Sequence, residues 1–252
     1  MAAITAQIVK ELREKTGCGM MDCKKALSET NGDMEKAIEF LREKGLATAA
    51  KKAGRIASEG LVTVSICDEC KAGVVLEVNA ETDFVAKNEE FRNFVASVAT
   101  VILKKAPQDV EALLALEIED GKSVDAALKE KIATIGENMN IRRFVRYEGN
   151  LIGYVHGEGR IGVMVKFAVG NDAVCASEEF VSYAKNVAMQ IAAINPAFLK
   201  REEVPTEVVE RKRKSLWLRL STKASPQQSL KRWLQAESRS TTRKTALLNR
   251  NM

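Results

Sequence analysis

The feature that most constrains the fold is an internal repeat at an offset of 89 residues. At that offset, residues 60–91 lie over residues 149–180 without a gap, and both copies end in Glu-Glu-Phe, so that Phe91 overlies Phe180. Identities are sparse, but the pattern of a hairpin, a turn and the start of a helix coincides in the two copies. The repeat therefore predicts an α+β fold with two related subdomains.

The strands are predicted by alternation of apolar and polar side chains. Apolar residues alternate over 61–66 and 74–79, on either side of the turn-like segment CDECKAG, which is typical of a β-hairpin. A helix is predicted over 89–105, where the apolar spacing changes to that of a helix face. The later elements are predicted as helices over 108–116, 124–135 and 178–193 and as strands over 141–147, 151–155 and 162–169.

The first 45 residues predict three short helices that form a small helical module. Thr5 and Asp33 stand where N-caps are expected, and Gly45 is a typical stop signal for the third helix. We expect the following organisation: a helical module at 1–45, a linker at 46–59, core subdomains at 60–139 and 140–211, and a basic tail at 212–252.

The net charge of +5 is concentrated at the C-terminal end. From residue 214 onward there are nine Lys or Arg residues and one acid, so the rest of the chain carries −3. The longest apolar run, FVASVATVIL, is too short to cross a bilayer, and no leader-like segment is visible. Five cysteines, an odd number, favour reduced thiols. We expect a cytoplasmic protein that does not bind membranes.

The residues that could carry chemistry are few. Cys67 and Cys70 form a CxxC pair, but no second pair exists to complete a zinc site, and in the repeat they overlie His156 and Gly159. This favours a role in the turn over metal or redox chemistry. His156 is the only histidine, and no phosphate-binding loop is present. We expect no catalytic residues, no metal, no cofactor and no enzymatic activity.

An unusual aromatic residue stands between the first hairpin and its helix. The connection contains Thr82, Asp83, Phe84 and Val85, and the second copy has Ala173 in place of Phe84. Asp83 is expected to cap the connection and Val85, like its counterpart Val174, to lie in the core. Two interpretations of Phe84 are open: a ring packed beneath its own loop, or an aromatic anchor presented to a partner.

Four segments resemble the elongation factor Ts family, whose members exchange the nucleotide of the GTPase elongation factor Tu. They are TGCGMMDCKKAL (16–27), EVNAETDFVAKNEEF (77–91), YVHGEGRIGVMV (154–165) and VAMQIAAINPAFL (187–199), in family order. The resemblance covers about residues 1–211. It implies a ubiquitin-associated-like three-helix module at 1–45, followed by two α+β subdomains, and elongation factor Tu as the partner.

The resemblance also implies which residues act. Those that would dislodge Mg²⁺ from the partner's nucleotide site are Thr82, Asp83, Phe84 and Val85. Those that would contact other parts of the partner are Thr16, Gly17, Gly19, Met20, Met21, Asp22, His156, Gly157, Arg160 and Gly162. No direct contact with nucleic acid is expected, and the oligomeric state stays open.

The segment after about residue 211 departs from the family pattern. Residues 214–252 contain no Gly, Val, Ile or Asp and hold both tryptophans. We infer that this tail is an out-of-frame translation, so that residues 212–252 are non-native or disordered and the subdomain at 140–211 is incomplete. The loss would weaken stability and exchange. The alternative is a nucleic-acid- or ribosome-binding protein that acts through its basic tail, with affinity that falls steeply with salt.

Overall fold

The computed structural model describes residues 4–118 and 121–221 and confirms the predicted α+β class. The chain divides into two compact units, one of residues 1–185 and one that begins at residue 186, within α8. The helices are α1 Ala6–Thr16, α2 Met20–Glu29, α3 Met34–Lys52, α4 Asp83–Lys87, α5 Glu89–Lys105, α6 Val110–Ala115, α7 Val124–Ile135, α8 Glu178–Ile194 and α9 Thr206–Ser221. The strands are β1 Glu59–Cys67, β2 Ala72–Ala80, β3 Met139–Glu148, β4 Asn150–His156 and β5 Ile161–Phe167, and short 3₁₀ turns occupy Asp172–Ala176 and Arg201–Glu203.

The helical module forms as its caps predict. The Thr5 hydroxyl accepts a hydrogen bond from the Ile8 amide, and the Asp33 carboxylate accepts one from the Lys36 amide. Gly17 ends α1 in the left-handed conformation, with φ of 66°. The three helices enclose a small core made of Val9, Leu12, Cys23, Ala26, Leu27, Ala37 and Leu41.

The prediction that the third helix ends at Gly45 is wrong, because α3 continues to Lys52. Gly45 is buried where α3 packs against α7, and a Cβ added to it would lie 3.1 Å from the Ala133 Cβ. The residue is small because two helices approach each other there, and tertiary packing outweighs its weak helix propensity. The first part of the predicted linker, residues 46–52, is therefore helical.

The first sheet is antiparallel, with strand order β1-β2-β3. Its central strand β2 is the most buried, and α5 packs on the sheet with its apolar side. Fully buried side chains at this interface include Leu76, Val78, Phe91 and Val98. The core that forms here continues to α7, so the sheet, α5 and α7 share one apolar cluster.

The second hairpin pairs β4 with β5, and the repeat is visible in the element bounds. Asp83–Lys87 and Asp172–Ala176 are separated by the same 89 residues, as are Glu89–Lys105 and Glu178–Ile194. The loops of the two hairpins, residues 68–71 and 157–160, have equal length. The predicted correspondence between the two copies is therefore confirmed at the level of element order and length.

Glycines allow the second hairpin to pack directly on β1. A Cβ added to Gly153 would lie 2.6 Å from Val64 Cγ1, and one added to Gly162 would lie 2.4 Å from Val62 Cγ1. The Val62 amide also donates a hydrogen bond to the Gly159 carbonyl, at 2.7 Å. The backbone of the hairpin thus rests on the valine side chains of the first sheet.

We predict that Gly153→Ala lowers the free energy of unfolding by about 1–3 kcal/mol, because the added methyl group overlaps a β-branched side chain that has little rotamer freedom. Urea denaturation measures this change. Gly54→Ala is the control, since a Cβ at Gly54 meets no atom within 4 Å. Equal destabilisation by the two substitutions would contradict the packing described above.

Candidate partner-binding site

Phe84 is presented to solvent. It lies in the first turn of the five-residue helix α4, and its side chain is 79% exposed. The interpretation in which the ring packs beneath its own loop is therefore wrong. Of the two interpretations of Phe84, the structure favours an aromatic side chain that is available to another molecule.

The outward direction of Phe84 follows from the burial of its neighbour. Val85 is 6% exposed and belongs to the main apolar core. Consecutive residues of a helix point about 100° apart, so a buried Val85 turns Phe84 away from the core. The prediction that Val85 lies in the core is confirmed.

A carboxylate from a distant part of the chain fixes the backbone just before Phe84. The Thr82 amide donates to Glu137 Oε2 at 3.0 Å, and the Thr82 hydroxyl donates to Glu137 Oε1 at 2.7 Å. Both carboxylate oxygens are used, and hydrogen bonds to an ionised acceptor are stronger than those between neutral groups. Thr82 is partly buried, so water competes only partly for these bonds.

The residue before Thr82 is held by the residue after Glu137. Glu81 Oε1 accepts a hydrogen bond from the Asn138 amide at 2.6 Å and lies 3.6 Å from Arg55 Nη1. The Asn138 side-chain amide donates to the Arg55 carbonyl at 2.7 Å. Among the residues whose burial the structure describes, Asn138 is the one buried polar side chain. We call residues 81–84 the corner; it is tied down at two consecutive positions.

Asp83 does not cap the connection, contrary to the prediction. The N-cap of α4 is Thr82, with no side-chain cap hydrogen bond, and the Asp83 carboxylate lies 3.5 Å from Lys87 Nζ, one turn along the same helix. The cap of the following helix is Asn88, which accepts from the amides of Glu90 and Phe91. Asp83 therefore places a half-exposed carboxylate beside Phe84.

Val174, the counterpart of Val85 in the second copy, is not in the core, contrary to the prediction. Its side chain is 47% exposed, whereas that of Val85 is buried. Residues 172–176 form a 3₁₀ turn, while residues 83–87 form an α-helical turn, and this changes the direction in which equivalent side chains point. The repeat conserves the position of the connection but not its side-chain directions.

The predicted contacts at 16–22 form the connection between α1 and α2. Gly19 is the N-cap of α2, and the two methionines that follow it, Met20 and Met21, are exposed. Asp22 pairs with Lys44 of α3. Thr16, the last residue of α1, donates its hydroxyl hydrogen to the Leu12 carbonyl at 2.7 Å.

The C-terminal end of α7 brings this connection near the corner. A Cβ added to Gly17 would lie 3.4 Å from Thr134 Cγ2, and Lys52 Nζ donates to the Gly136 carbonyl. Glu137, the residue after Gly136, accepts the hydrogen bonds from Thr82. The segments 16–22 and 82–85 are thus both attached to the same end of α7.

The third predicted set lies on the turn of the second hairpin. His156 and Arg160 are exposed, the Tyr154 hydroxyl and His156 Nδ1 are 2.9 Å apart, and Gly157 has φ of 61°. Gly162 lies in β5, where its lack of a Cβ allows packing on β1. Arg160 lines an open cleft of about 330 Å³. The other residues that line this cleft are Ser58, Glu59, Gly60, Leu61, Val62, Glu77, Asn79 and Gly159.

This cleft lies at the end of the first sheet that leads into the corner. The start of β1 pairs with the end of β2, with Glu59 opposite Ala80, and the corner begins at the next residue. The turn therefore overlies the same end of the sheet from which Phe84 is presented. Of the three predicted sets, the segments 16–22 and 82–85 are linked through the end of α7, and the turn of the second hairpin contacts the start of β1 at Leu61 and Val62.

Sequence reasoning missed the residues that hold the corner in place: Arg55, Glu81, Glu137 and Asn138. The bonds between the corner and the segment after α7 span 55 and 57 residues. No local pattern marks such partners. The one visible signal is the polar pair Glu137-Asn138 directly after the Gly136 helix stop, where the chain turns into a buried strand.

In residues 4–118 and 121–221 no cluster of three or more potential metal ligands is present, and no helix there has the length and apolar character of a membrane span. The predicted tail begins at residue 212, which lies within α9, since this helix runs from Thr206 to Ser221. The basic run 211–214 on this helix is exposed. The rest of the predicted tail, 222–252, lies outside the described residues.

The chain is similar to elongation factor Ts proteins. A family model described as elongation factor TS matches residues 81–251. An elongation factor Ts of Clostridium perfringens (strain SM101 / Type A) is 53% identical over 213 residues, which cover 83% of this chain and 69% of that protein. The elongation factors Ts of Trichlorobacter lovleyi and Clostridioides difficile (strain 630) are 50% and 47% identical, over 84% and 83% of this chain and 70% and 68% of their own lengths.

The family-model match also bears on the C-terminal tail. It continues to residue 251 and so includes the segment that the sequence patterns set apart. It gives no support to an out-of-frame origin of the tail, which stays a prediction, as does the alternative role of the tail in binding nucleic acid.

We predict that Glu137→Ala lowers the free energy of unfolding by about 1–3 kcal/mol, because the Thr82 amide and hydroxyl lose a charged acceptor in a partly buried site. It should also speed amide hydrogen exchange at residues 81–86 more than elsewhere. Glu39→Ala, at an exposed position of α3, is the control and should change stability by less than about 0.5 kcal/mol. Unchanged exchange at 81–86 would show that Glu137 does not fix the corner.

Proposed function

Because the chain belongs to the elongation factor Ts family, it is a translation elongation factor, and we propose that it accelerates the release of GDP from elongation factor Tu. In this proposal Phe84 enters the partner near its nucleotide site and displaces the surroundings of the bound Mg²⁺. GTP then takes the place of GDP. The single observation that carries the proposal is the almost fully exposed Phe84 ring on a hydrogen-bonded corner.

The physical basis is the electrostatics of the bound nucleotide. Mg²⁺ neutralises the charge of the phosphates and requires near-ideal octahedral coordination, so a small displacement of its ligands weakens the binding of both the ion and GDP. Burial of a phenylalanine side chain contributes about 1.5–3 kcal/mol, which shifts the equilibrium toward a displaced arrangement about 10- to 150-fold.

Asp83 supports the same step. Its carboxylate lies next to Phe84 on the presented turn and is half exposed. A carboxylate that approaches the nucleotide site repels the negatively charged phosphates and competes for hard cations. The ring supplies binding energy, and the adjacent negative charge acts on the ion and the phosphates.

A fixed corner makes this more effective. If residues 81–84 were mobile, their ordering on binding would consume part of the free energy that the ring gains in its pocket. The bonds from Glu137 and Asn138 fix these residues before the partner arrives. Preorganisation therefore leaves more of the ring's binding energy for the displacement of the ion.

The coupling between factor and nucleotide is reciprocal. A protein that weakens GDP binding is itself bound less tightly when GDP is present, so that each new nucleotide promotes its release. No covalent bond is made or broken, and no catalytic residue is required. We propose that this cycle takes place in the cytoplasm.

The remaining contacts are assigned by chemistry. The exposed pair Met20 and Met21 is suited to an apolar surface, which we propose is the GTPase domain of elongation factor Tu, since polarizable thioethers adapt to irregular partners. The turn with His156, Gly157 and Arg160 would face a different part of the same partner. Contacts at two sites orient the ring and raise its local concentration at the nucleotide site.

We predict that Phe84→Ala reduces the acceleration of GDP release by at least about tenfold, because the variant loses an anchor that is buried in the complex. Release of a fluorescent GDP analogue from elongation factor Tu, with and without this protein, measures the effect. Phe84→Ala should leave the urea midpoint of the free protein nearly unchanged, since the ring makes few contacts there.

Val174→Ala is the matched control, because it removes an exposed apolar side chain from the equivalent connection of the second copy. It should leave the exchange rate within about twofold of the original. Exchange by Phe84→Ala at the original rate would overturn the assignment of Phe84. Absence of any acceleration by the unsubstituted protein would overturn the proposed function itself.

A further inference from the structure

Two thiols meet on the loop of the first hairpin. Cys67 ends β1, and Cys70 lies in the following turn; both are free. The Cys70 amide donates to Cys67 Sγ at 3.2 Å, and Cys70 Sγ approaches the Cys67 carbonyl oxygen at 3.8 Å. Cys70 is exposed and Cys67 is half-buried against the main apolar core, so part of the pair is open to small molecules in solution.

The two cysteines lie close together on one tight loop. Cys67 pairs with Ala72 across the hairpin, and the Lys71 amide donates to the Asp68 carbonyl at 3.3 Å, so residues 68–71 form a turn. The 3.2 Å contact between the Cys70 amide and Cys67 Sγ is compatible with the Cα separation of about 4.4–6.8 Å that a disulfide spans.

We propose that Cys67 and Cys70 form a thiol–disulfide exchange site whose substrates are low-molecular-weight disulfides such as glutathione disulfide. The Cys67 thiolate attacks one sulfur of the small disulfide, and the other sulfur leaves as a thiolate. The Cys70 thiolate then attacks Cys67 Sγ and releases the second small thiol. Two protein thiols are oxidised to one disulfide, one small disulfide is reduced to two thiols, and the reverse sequence restores the dithiol.

The contacts between the two cysteines assign the roles. The Cys70 side chain, together with the hydrogen bond that the Cys70 amide donates to Cys67 Sγ, lowers the pKa of Cys67, while the contact with Cys67 raises the pKa of Cys70. The thiolate is the nucleophile in exchange, so Cys67 attacks first and Cys70 resolves the mixed disulfide. The nearby acid Glu69 opposes the shift at Cys67 but is outweighed by the hydrogen bonds.

The other cysteines lack this combination. Cys23 is fully buried, and burial raises the pKa of Cys18. Cys175 is half-buried and has no thiol next to it in sequence. A metal is a poorer occupant of the pair at 67 and 70, because no third ligand joins it among the residues that the structure describes.

The thiol–disulfide exchange site is separate from the corner that presents Phe84. The CxxC loop closes one end of the β1–β2 hairpin, and the corner follows the other end. The Lys71 carbonyl accepts a hydrogen bond from the Gly149 amide, so the loop is also fastened to the turn before β4. Oxidation of the pair is therefore expected to leave GDP release from elongation factor Tu unchanged, and the two proposals fail independently.

The test uses the folded full-length chain in glutathione buffers of increasing oxidised fraction. Free thiols are blocked with N-ethylmaleimide, the protein is digested with trypsin, and the peptides are weighed. Cleavage after Arg55 and Lys71 gives a peptide, 56–71, that contains Cys67 and Cys70 and no other cysteine. Cleavage after Lys15 and Lys24 gives peptide 16–24 with Cys18 and Cys23, which serves as an internal control.

Peptide 56–71 should carry no N-ethylmaleimide and weigh two hydrogen atoms less than its unlabelled dithiol form. At the same oxidised fractions, peptide 16–24 should carry two N-ethylmaleimide groups, as a dithiol does. Cys70→Ser should stop at one glutathione adduct on Cys67, and Cys67→Ser should form an adduct at Cys70 at least about tenfold more slowly. In urea, the preference for peptide 56–71 should disappear, whereas Cys175→Ser should have no effect on peptide 56–71 in the folded protein.

Two results would overturn the proposal. One is a peptide 56–71 that stays a dithiol, or takes up two glutathiones, at every ratio. The other is equal oxidation of peptides 56–71 and 16–24 in the folded protein. Equal adduct rates in Cys67→Ser and Cys70→Ser would overturn the assignment of Cys67 as the attacking thiol.

Discussion

The structure of the proposed site depends on one carboxylate. Glu137 accepts two hydrogen bonds from Thr82, and this bidentate contact connects the end of α7 to the connection that presents Phe84. The same end of α7 contacts the loop before α2 and receives Lys52 from α3. One helix terminus therefore sets the position of the helical module and of the aromatic ring. This charge-assisted contact fixes the start of the connection, and the burial of Val85 in the main apolar core holds its middle.

The duplicated unit explains how such a ring can be tolerated. Both copies have a hairpin with a four-residue loop, a short turn and a helix of 17 residues, so the frame does not require an aromatic residue at the turn. The second copy has Ala173 where the first has Phe84. An exposed phenylalanine gains nothing in the free protein, because its hydrophobic stabilisation is realised only on burial. Its presence in one copy is the structural difference on which the proposed exchange activity rests.

The sequence predicted what local chemistry determines and failed where distant contacts decide. Caps at Thr5 and Asp33, both hairpins and the order of the repeat follow from propensity and period, and these predictions were confirmed. Gly45 has the sequence signature of a helix stop, and its packing against Ala133 is not visible in the sequence. The repeat predicts that Val174 lies in the core like Val85, but a 3₁₀ turn directs it outward. Glu137 and Asn138 were missed, since their partners lie 55 or more residues earlier.

The central claim is that Glu137 acts on exchange through the placement of Phe84. A double-mutant cycle tests it most directly: the rate of GDP release from elongation factor Tu is measured with the unsubstituted protein, Glu137→Ala, Phe84→Ala and the double variant. The account predicts that Glu137→Ala slows exchange when Phe84 is present and has no further effect once Phe84 is removed. Additive losses in the double variant would show that Glu137 contributes independently of the ring and would contradict the account.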